Sequence, residues 1–105
     1  MSMNNDAIAL TEAVYYILLS LYTPMHGYGI MQNVEDLSNG RVKLAAGTLY
    51  GALGTLLEKS WIKALDVNGR KKEYVITEPG KNAVKNEFDR LRELVKNGKL
   101  IMGGG

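Results

Sequence analysis

One histidine, His26, and no cysteine stand in this 105-residue sequence. Disulfides, thiolate metal sites and thiol nucleophiles are therefore excluded. His26 has no neighbouring pair of carboxylates to complete a metal site. It lies in the glycine-rich run HGYGI, where a structural place at the start of a helix is the plainer reading. No serine has a plausible histidine partner for nucleophilic catalysis, and Glu35-Asp36 and Asp89 with Glu93 read as helix-surface acids. The glycines of GYG and GTLYGALG lack a phosphate-binding register and a Lys-Ser/Thr end. No enzyme activity, metal or cofactor is expected. What remains is the chemistry of hydrogen bonds and charge. Thr48 and Tyr50 carry hydroxyls, which can bond a base edge or a phosphate. Arg70, Lys71 and Lys72 form a cationic run, and Arg41 and Lys43 stand before it. Such cations can neutralise phosphates, although a charge run alone is usually a solvated loop tip.

Thr48 and Tyr50 belong to AAGTLYGALGTLLEKSWI, whose leucines Leu49, Leu53, Leu56 and Leu57 keep a helical rhythm. Gly51 and Gly54 lie inside that helix, and each costs it roughly 1 kcal/mol relative to Ala. Glycines on the face away from the leucines make sense where something approaches the backbone closely. A nucleic acid and a second protein chain are the two candidates.

The elements around this helix can be read in order. The first helix spans about Thr11 to Tyr22, with Thr11 as cap, Glu12 in the first turn and Leu10 placed to staple against Tyr15. Pro24 stops it. Its apolar residues cover most of the circumference, so it must be covered on more than one side. A second helix runs from about Tyr28 to Leu37. Arg41 to Leu44 alternates polar and apolar, which predicts a short strand. The glycine-bearing helix follows, from about Ala46 to Lys59. Ile62–Val67 and Lys72–Thr77 then read as a hairpin closed by a two-residue Asn68-Gly69 turn. Thr77 caps a fourth helix that reaches about Lys96, with Pro79 in its first turn. Val84, Phe88, Leu91 and Val95 are spaced as a coiled-coil-like seam of about two heptads. The order is that of a winged helix-turn-helix. The fold class is mainly α with a small β-hairpin, residues 1–77 forming the winged unit and 78–105 a C-terminal dimerisation helix and tail.

The bulk numbers agree with one small domain. Thirteen Lys and Arg against eleven Asp and Glu leave a net charge of +2, so only the distribution of charge can argue for a polyanionic partner. The start, MSMNNDAIAL, lacks the basic residues and apolar block of a signal peptide. The apolar stretch from Ala13 to Tyr22 is too short to span a bilayer. A cytoplasmic protein without membrane contact is expected, and Gly103-Gly104-Gly105 reads as a flexible end.

HGYGI, GTLYGAL, LLEKSWI and NGRKKEYVIT, at these spacings, resemble the PadR family of transcriptional regulators. The resemblance covers about Leu10 to Val95 and looks like the branch with a single C-terminal helix. It implies a homodimer that binds a palindromic double-stranded DNA operator, usually represses, and often releases DNA when a small molecule binds, here a small hydrophobic or aromatic effector if there is one. DNA contacts then fall to Gly47, Thr48 and Tyr50 on the third helix and to the wing residues Arg70, Lys71 and Lys72. Arg41, Lys43 and Tyr28 are supporting phosphate contacts, with packing an equal alternative for Tyr28. The dimer interface falls to Val14, Tyr15, Leu18, Val84, Phe88, Leu91 and Val95. Tyr15, Tyr16, Tyr22, Phe88, Leu91 and Met102 would line an interfacial effector cavity, or simply fill the interface. The sequence departs from the family at three places. Ser60 stands where a glycine commonly ends the third helix, and Gly54 and Thr55 stand where relatives carry Lys or Arg. Leu91 stands where multidrug-sensing relatives carry Trp. These departures keep a second reading open: a winged-helix module for ligands or proteins that binds DNA weakly.

Overall fold

The computed structural model describes residues 9–67 and 71–103. Its elements are α1 (Glu12–Ser20), β1 (Met25–His26), α2 (Gly27–Leu37), α3 (Ala46–Glu58), β2 (Ile62–Val67), β3 (Lys71–Ile76) and α4 (Glu78–Met102). The three strands form an antiparallel sheet in the order β1-β3-β2. This is a winged-helix fold with a long C-terminal helix.

The helix ends follow local chemistry. Thr11 accepts a hydrogen bond from the Val14 N–H and starts α1. His26 Nδ1 accepts from the Gly29 N–H and starts α2, so the single histidine is a helix cap. Thr77 accepts from the Gly80 N–H and starts α4. α3 ends in a Schellman turn: Ser60 takes φ +61°, its N–H bonds the Leu57 carbonyl, and the Trp61 N–H bonds the Leu56 carbonyl. The residue that replaces glycine therefore keeps the left-handed turn that glycine would make.

Two expectations about strands need correction. Arg41 to Leu44 forms no strand. Its alternation sets burial instead, with Val42 and Leu44 packed on the core and Arg41 and Lys43 outward. The second edge of β3 is taken instead by β1. That pairing, Met25 with Tyr74 and His26 with Glu73, was not visible in the sequence. In the hairpin, Val67 pairs with Lys71, which leaves three residues between the paired ends rather than two. The expected Asn68-Gly69 turn lies outside the described residues.

Ile17, Leu18 and Leu21 of α1 and its exit, Ile30 and Val34 of α2, and Leu49, Leu53 and Leu56 of α3 fill the core. Ile62, Tyr74 and Ile76 of the sheet and Val84 of α4 complete it. Leu18 is 0 % exposed and Val84 6 % exposed within a single chain. Both are corrected from interface to core, because the single chain already covers Leu18 fully and Val84 almost fully. The boundary drawn at residue 78 also cuts through packed structure. Gly80, Val84 and Glu87 of α4 are buried with the winged unit. A Cβ on Gly80 would run into the Trp61 carbonyl oxygen and meet Ile76 at 2.7 Å, so α4 crosses the start of β2 at backbone contact. Beyond Glu87 the helix continues past Lys96 to Met102 and ends on Gly103 in the left-handed conformation.

Candidate nucleic-acid interface

α3 divides into two faces by its 3.6-residue period. Leu49, Leu53 and Leu56 point into the core. Gly47, Gly51 and Gly54 lie opposite, and a Cβ on any of them would meet nothing within 4 Å. The protein itself thus gives no packing reason for these glycines. Thr48 is exposed in the first turn. Ala45, at the N-cap, offers no side-chain acceptor. The first amides of α3 are therefore not capped by their own N-cap residue, and the positive end of the helix faces outward.

Tyr50 is half exposed and leans across to α2. Its hydroxyl sits against Gly27, where a Cβ would have no room. Tyr74, buried in β3, lies close enough for Tyr50 to help raise its pKa above the usual phenol value, although burial is the main cause. The start of α2, the first turns of α3 and the base of the wing therefore converge around Tyr50. Tyr28, at the first turn of α2, is 67 % exposed and presents its ring to solvent.

The cations are spread around this surface. Lys72 on β3 and Lys43 before α3 are exposed. Arg41 is also exposed but pairs with Glu12 at the start of α1. Both partners are solvated, and such surface pairs contribute at most about 1 kcal/mol, so a phosphate can compete for Arg41. Arg70 lies outside the described residues, as does the side chain of Lys71, whose backbone opens β3.

On α1 and α4 the remaining interface residues do gather. Tyr15, Phe88, Leu91 and Val95 line one cleft of about 600 Å³ together with Arg92 and Leu100. Val14, half-buried, lies outside that lining, as do Tyr16, Tyr22 and Met102. Past the core, α4 leaves Phe88, Leu94, Val95, Leu100, Ile101 and Met102 exposed, Ile101 to 87 %.

The residue that the sequence reading missed is Glu87. A glutamate on a charged helix is ordinarily solvated, yet this one is 5 % exposed. Its carboxylate accepts from Arg90 at 2.9 and 2.6 Å and from the Leu10 N–H at 3.3 Å. The Arg90 hydrogen bonds, helped by that of Leu10, hold its pKa below the ordinary glutamate value against the opposing effect of burial. The available signal was its position between Val84 and Leu91, on the buried side of the helix, with an arginine three residues on. Among the described residues, no group of three His, Cys, Asp or Glu could hold a metal, and no helix is long and apolar enough to cross a membrane.

Comparison with known proteins adds to this geometry. An uncharacterized 37.1 kDa protein of transposon TN4556 from Streptomyces fradiae is 34 % identical over 71 residues, which are 68 % of this chain and 20 % of that protein. The transcriptional regulator YqjI of Escherichia coli K12 is 34 % identical over 55 residues, 52 % of this chain and 27 % of its own length. The chain thus spans about a fifth to a quarter of the curated relatives it matches. Among solved structures, a PadR family transcriptional regulator from Eggerthella lenta superposes with TM-score 0.70 at 24 % identity, covering 84 % of this chain and 80 % of that one. A PadR family regulator from Clostridium difficile R20291 gives 0.69 at 22 %, covering 85 % and 97 %. RosR of H. salinarum gives 0.69 at 23 %, covering 92 % and 96 %. At these identities the structures share the fold. The family model described as the transcriptional regulator PadR-like family matches residues 16–86, from the middle of α1 into α4. With two thirds of its length inside that match and the winged-helix fold of its structural neighbours, the chain belongs to the PadR-like family of transcriptional regulators.

Proposed function

We propose that the chain acts as a homodimeric repressor that binds a palindromic DNA operator, with α3 in the major groove and the wing against the backbone or minor groove. The observation that carries this reading is the outer face of α3. It carries no Arg, Lys, Asn or Gln, has Glu58 in the last turn as its one charged side chain, is exposed throughout, and is flanked by the first turn of α2 and the base of the wing. Recognition helices of this class present their N-terminal residues to bases. Gly47 and Thr48 would meet the groove and Tyr50 its wall. Lys43, Lys72, Arg70 and Lys71 would neutralise phosphates, with Arg41 exchanging Glu12 for a phosphate and Tyr28 adding a hydroxyl.

The dimer would form through the α4 arm beyond Glu87 and the exposed side of α1, with Val14, Tyr15, Phe88, Leu91 and Val95 at the contact. We read residues 88–103 as the dimerisation arm, so the working boundary falls after Glu87 rather than at 78. The cleft at Tyr15 and Phe88 would be covered by the partner's α4. A small apolar or aromatic effector lodged there would change the angle between the two α3 helices. Half-sites about one helical turn apart accept only one such angle. A preference of a few kcal/mol between two dimer arrangements is then enough to control binding. Such a regulator works in the cytoplasm, where its DNA is.

A gel-shift against the chain's own upstream region, run over a salt series, tests this. Arg70→Ala, Lys71→Ala and Lys72→Ala together are expected to abolish the specific shift. Absence of any shift at low salt, combined with tight capture of a hydrophobic dye by the dimer, would instead support a ligand-binding module.

A further inference from the structure

The geometry points to a recognition helix that selects its duplex through thymine methyl groups and groove shape, without two-point hydrogen bonds to purines; this rests on the DNA-binding reading above. From Ala46 to Glu58 the helix has no Arg, Lys, His, Asn or Gln. Arg, Lys, Asn and Gln supply the paired contacts that match guanine O6 and N7 or adenine N6 and N7. The polar side chains present are Thr48, Tyr50, Thr55 and Glu58. Thr55 Oγ1 donates to the Gly51 carbonyl at 3.4 Å, and the Tyr50 hydroxyl lies against Gly27. Glu58 stands in the last turn, away from the N-terminal end that meets bases in this class of motif. Thr48 and the half-exposed Tyr50 each offer a single hydroxyl, so neither makes a two-point contact, and only Thr48 adds a methyl.

The outer face is also open. With nothing of the protein within 4 Å of a Cβ at Gly47, Gly51 or Gly54, the helix backbone can sit deeper in a groove than one bearing long side chains. Toward the N-terminal end its contact surface is then Cα hydrogens and the Thr48 methyl, with the Thr55 methyl two turns further on and Glu58 at the far end. In the major groove the C5 methyl of thymine is the apolar feature of the bases, and threonine methyls pack against it. A surface of this kind separates thymine from cytosine by packing, and A·T-rich from G·C-rich steps by the ease of fitting the duplex to the helix. Affinity is left to the phosphate contacts around the helix.

In the test, the wild-type chain is used to select duplexes from a randomised pool, and the recovered half-sites are remade with deoxyuridine for thymine, which removes only the C5 methyl. Fluorescence anisotropy at fixed salt is expected to show a loss of about tenfold or more, comparable to a mismatched base pair. The same positions remade with 7-deazapurines, which lack the N7 acceptor, are expected to change affinity by less than about twofold. Unchanged affinity with deoxyuridine, or a larger loss with 7-deazapurines, overturns the inference and leaves the DNA-binding reading standing. Recovery of no duplex overturns that reading and the inference with it. On the protein side, Gly51→Leu is expected to retain the helical circular dichroism of the wild type and to lose specific binding. Retained affinity in that variant overturns the close approach.

Discussion

Among single residues, glycines on opposite sides of the fold carry opposite expectations. Gly80 sits where a Cβ would strike the Trp61 carbonyl. Gly80→Ala is expected to destabilise by about 1–3 kcal/mol, the usual cost of overpacking. Gly51→Ala and Gly54→Ala face open space, and each is expected to stabilise by up to about 1 kcal/mol. Urea unfolding of the three variants checks both signs. Ser60 in its left-handed turn belongs to the same comparison, and Ser60→Gly should relieve about 1 kcal/mol of strain. Glu87 makes a pH prediction. Its folded pKa lies below the ordinary 4.5, so its stabilisation is fully present above that value and is lost as pH falls through the lowered one. Glu87→Gln is expected to cost about 1–3 kcal/mol at neutral pH, and the gap from wild type should close on acidification below that value. A gap that stays constant down to strong acid would contradict the assignment.

At the scale of elements, the arm of α4 is the least supported part of a single chain. Residues 88–102, at 1.5 Å per residue, extend roughly 22 Å beyond the last buried side chain. A solitary helix of that length is marginal in water. Its amides are therefore expected to be protected from hydrogen exchange only when a partner covers them. Val95→Glu with Ile101→Glu should make exchange across 88–102 fast while α1 to α3 stay protected. The periodicity of Val84, Phe88, Leu91 and Val95 showed that this helix has an apolar seam. It could not show that the seam changes function along its length, because burial of Val84 depends on how α4 crosses the start of β2 at Gly80. Similarly, the alternation in Arg41–Leu44 marked which side chains go in. Whether it became a strand depended on the tertiary pairing of β3, whose second edge holds Met25–His26.

For the whole molecule, dimerisation and DNA binding predict how stability and affinity respond to conditions. If the arms pair, the thermal midpoint rises with protein concentration, and the Val95→Glu, Ile101→Glu variant loses that dependence. Differential scanning calorimetry over a concentration series measures it. With roughly three to five phosphate contacts per subunit, specific affinity should fall by about 10³–10⁵ between 50 and 200 mM salt. A shallow salt slope would shift the balance toward the ligand-binding alternative.

The sequence alone determined the order of the helices, the Thr11 and Thr77 caps, the two paired strands of the hairpin, the buried Leu49, Leu53 and Leu56 of α3, and the family. Each of these rests on signals confined to one segment: a periodicity, a Thr cap, a run such as GTLYGAL. The tertiary structure alone decided what depends on segments meeting. It paired Met25–His26 with β3, took Leu18 and Val84 into the core, and set Glu87 between Arg90 and the Leu10 amide. It also laid Tyr50 against Gly27 while leaving Gly47, Gly51 and Gly54 uncovered. Local preferences are written within a few residues, whereas burial and strand pairing are competitions among distant segments for the same space.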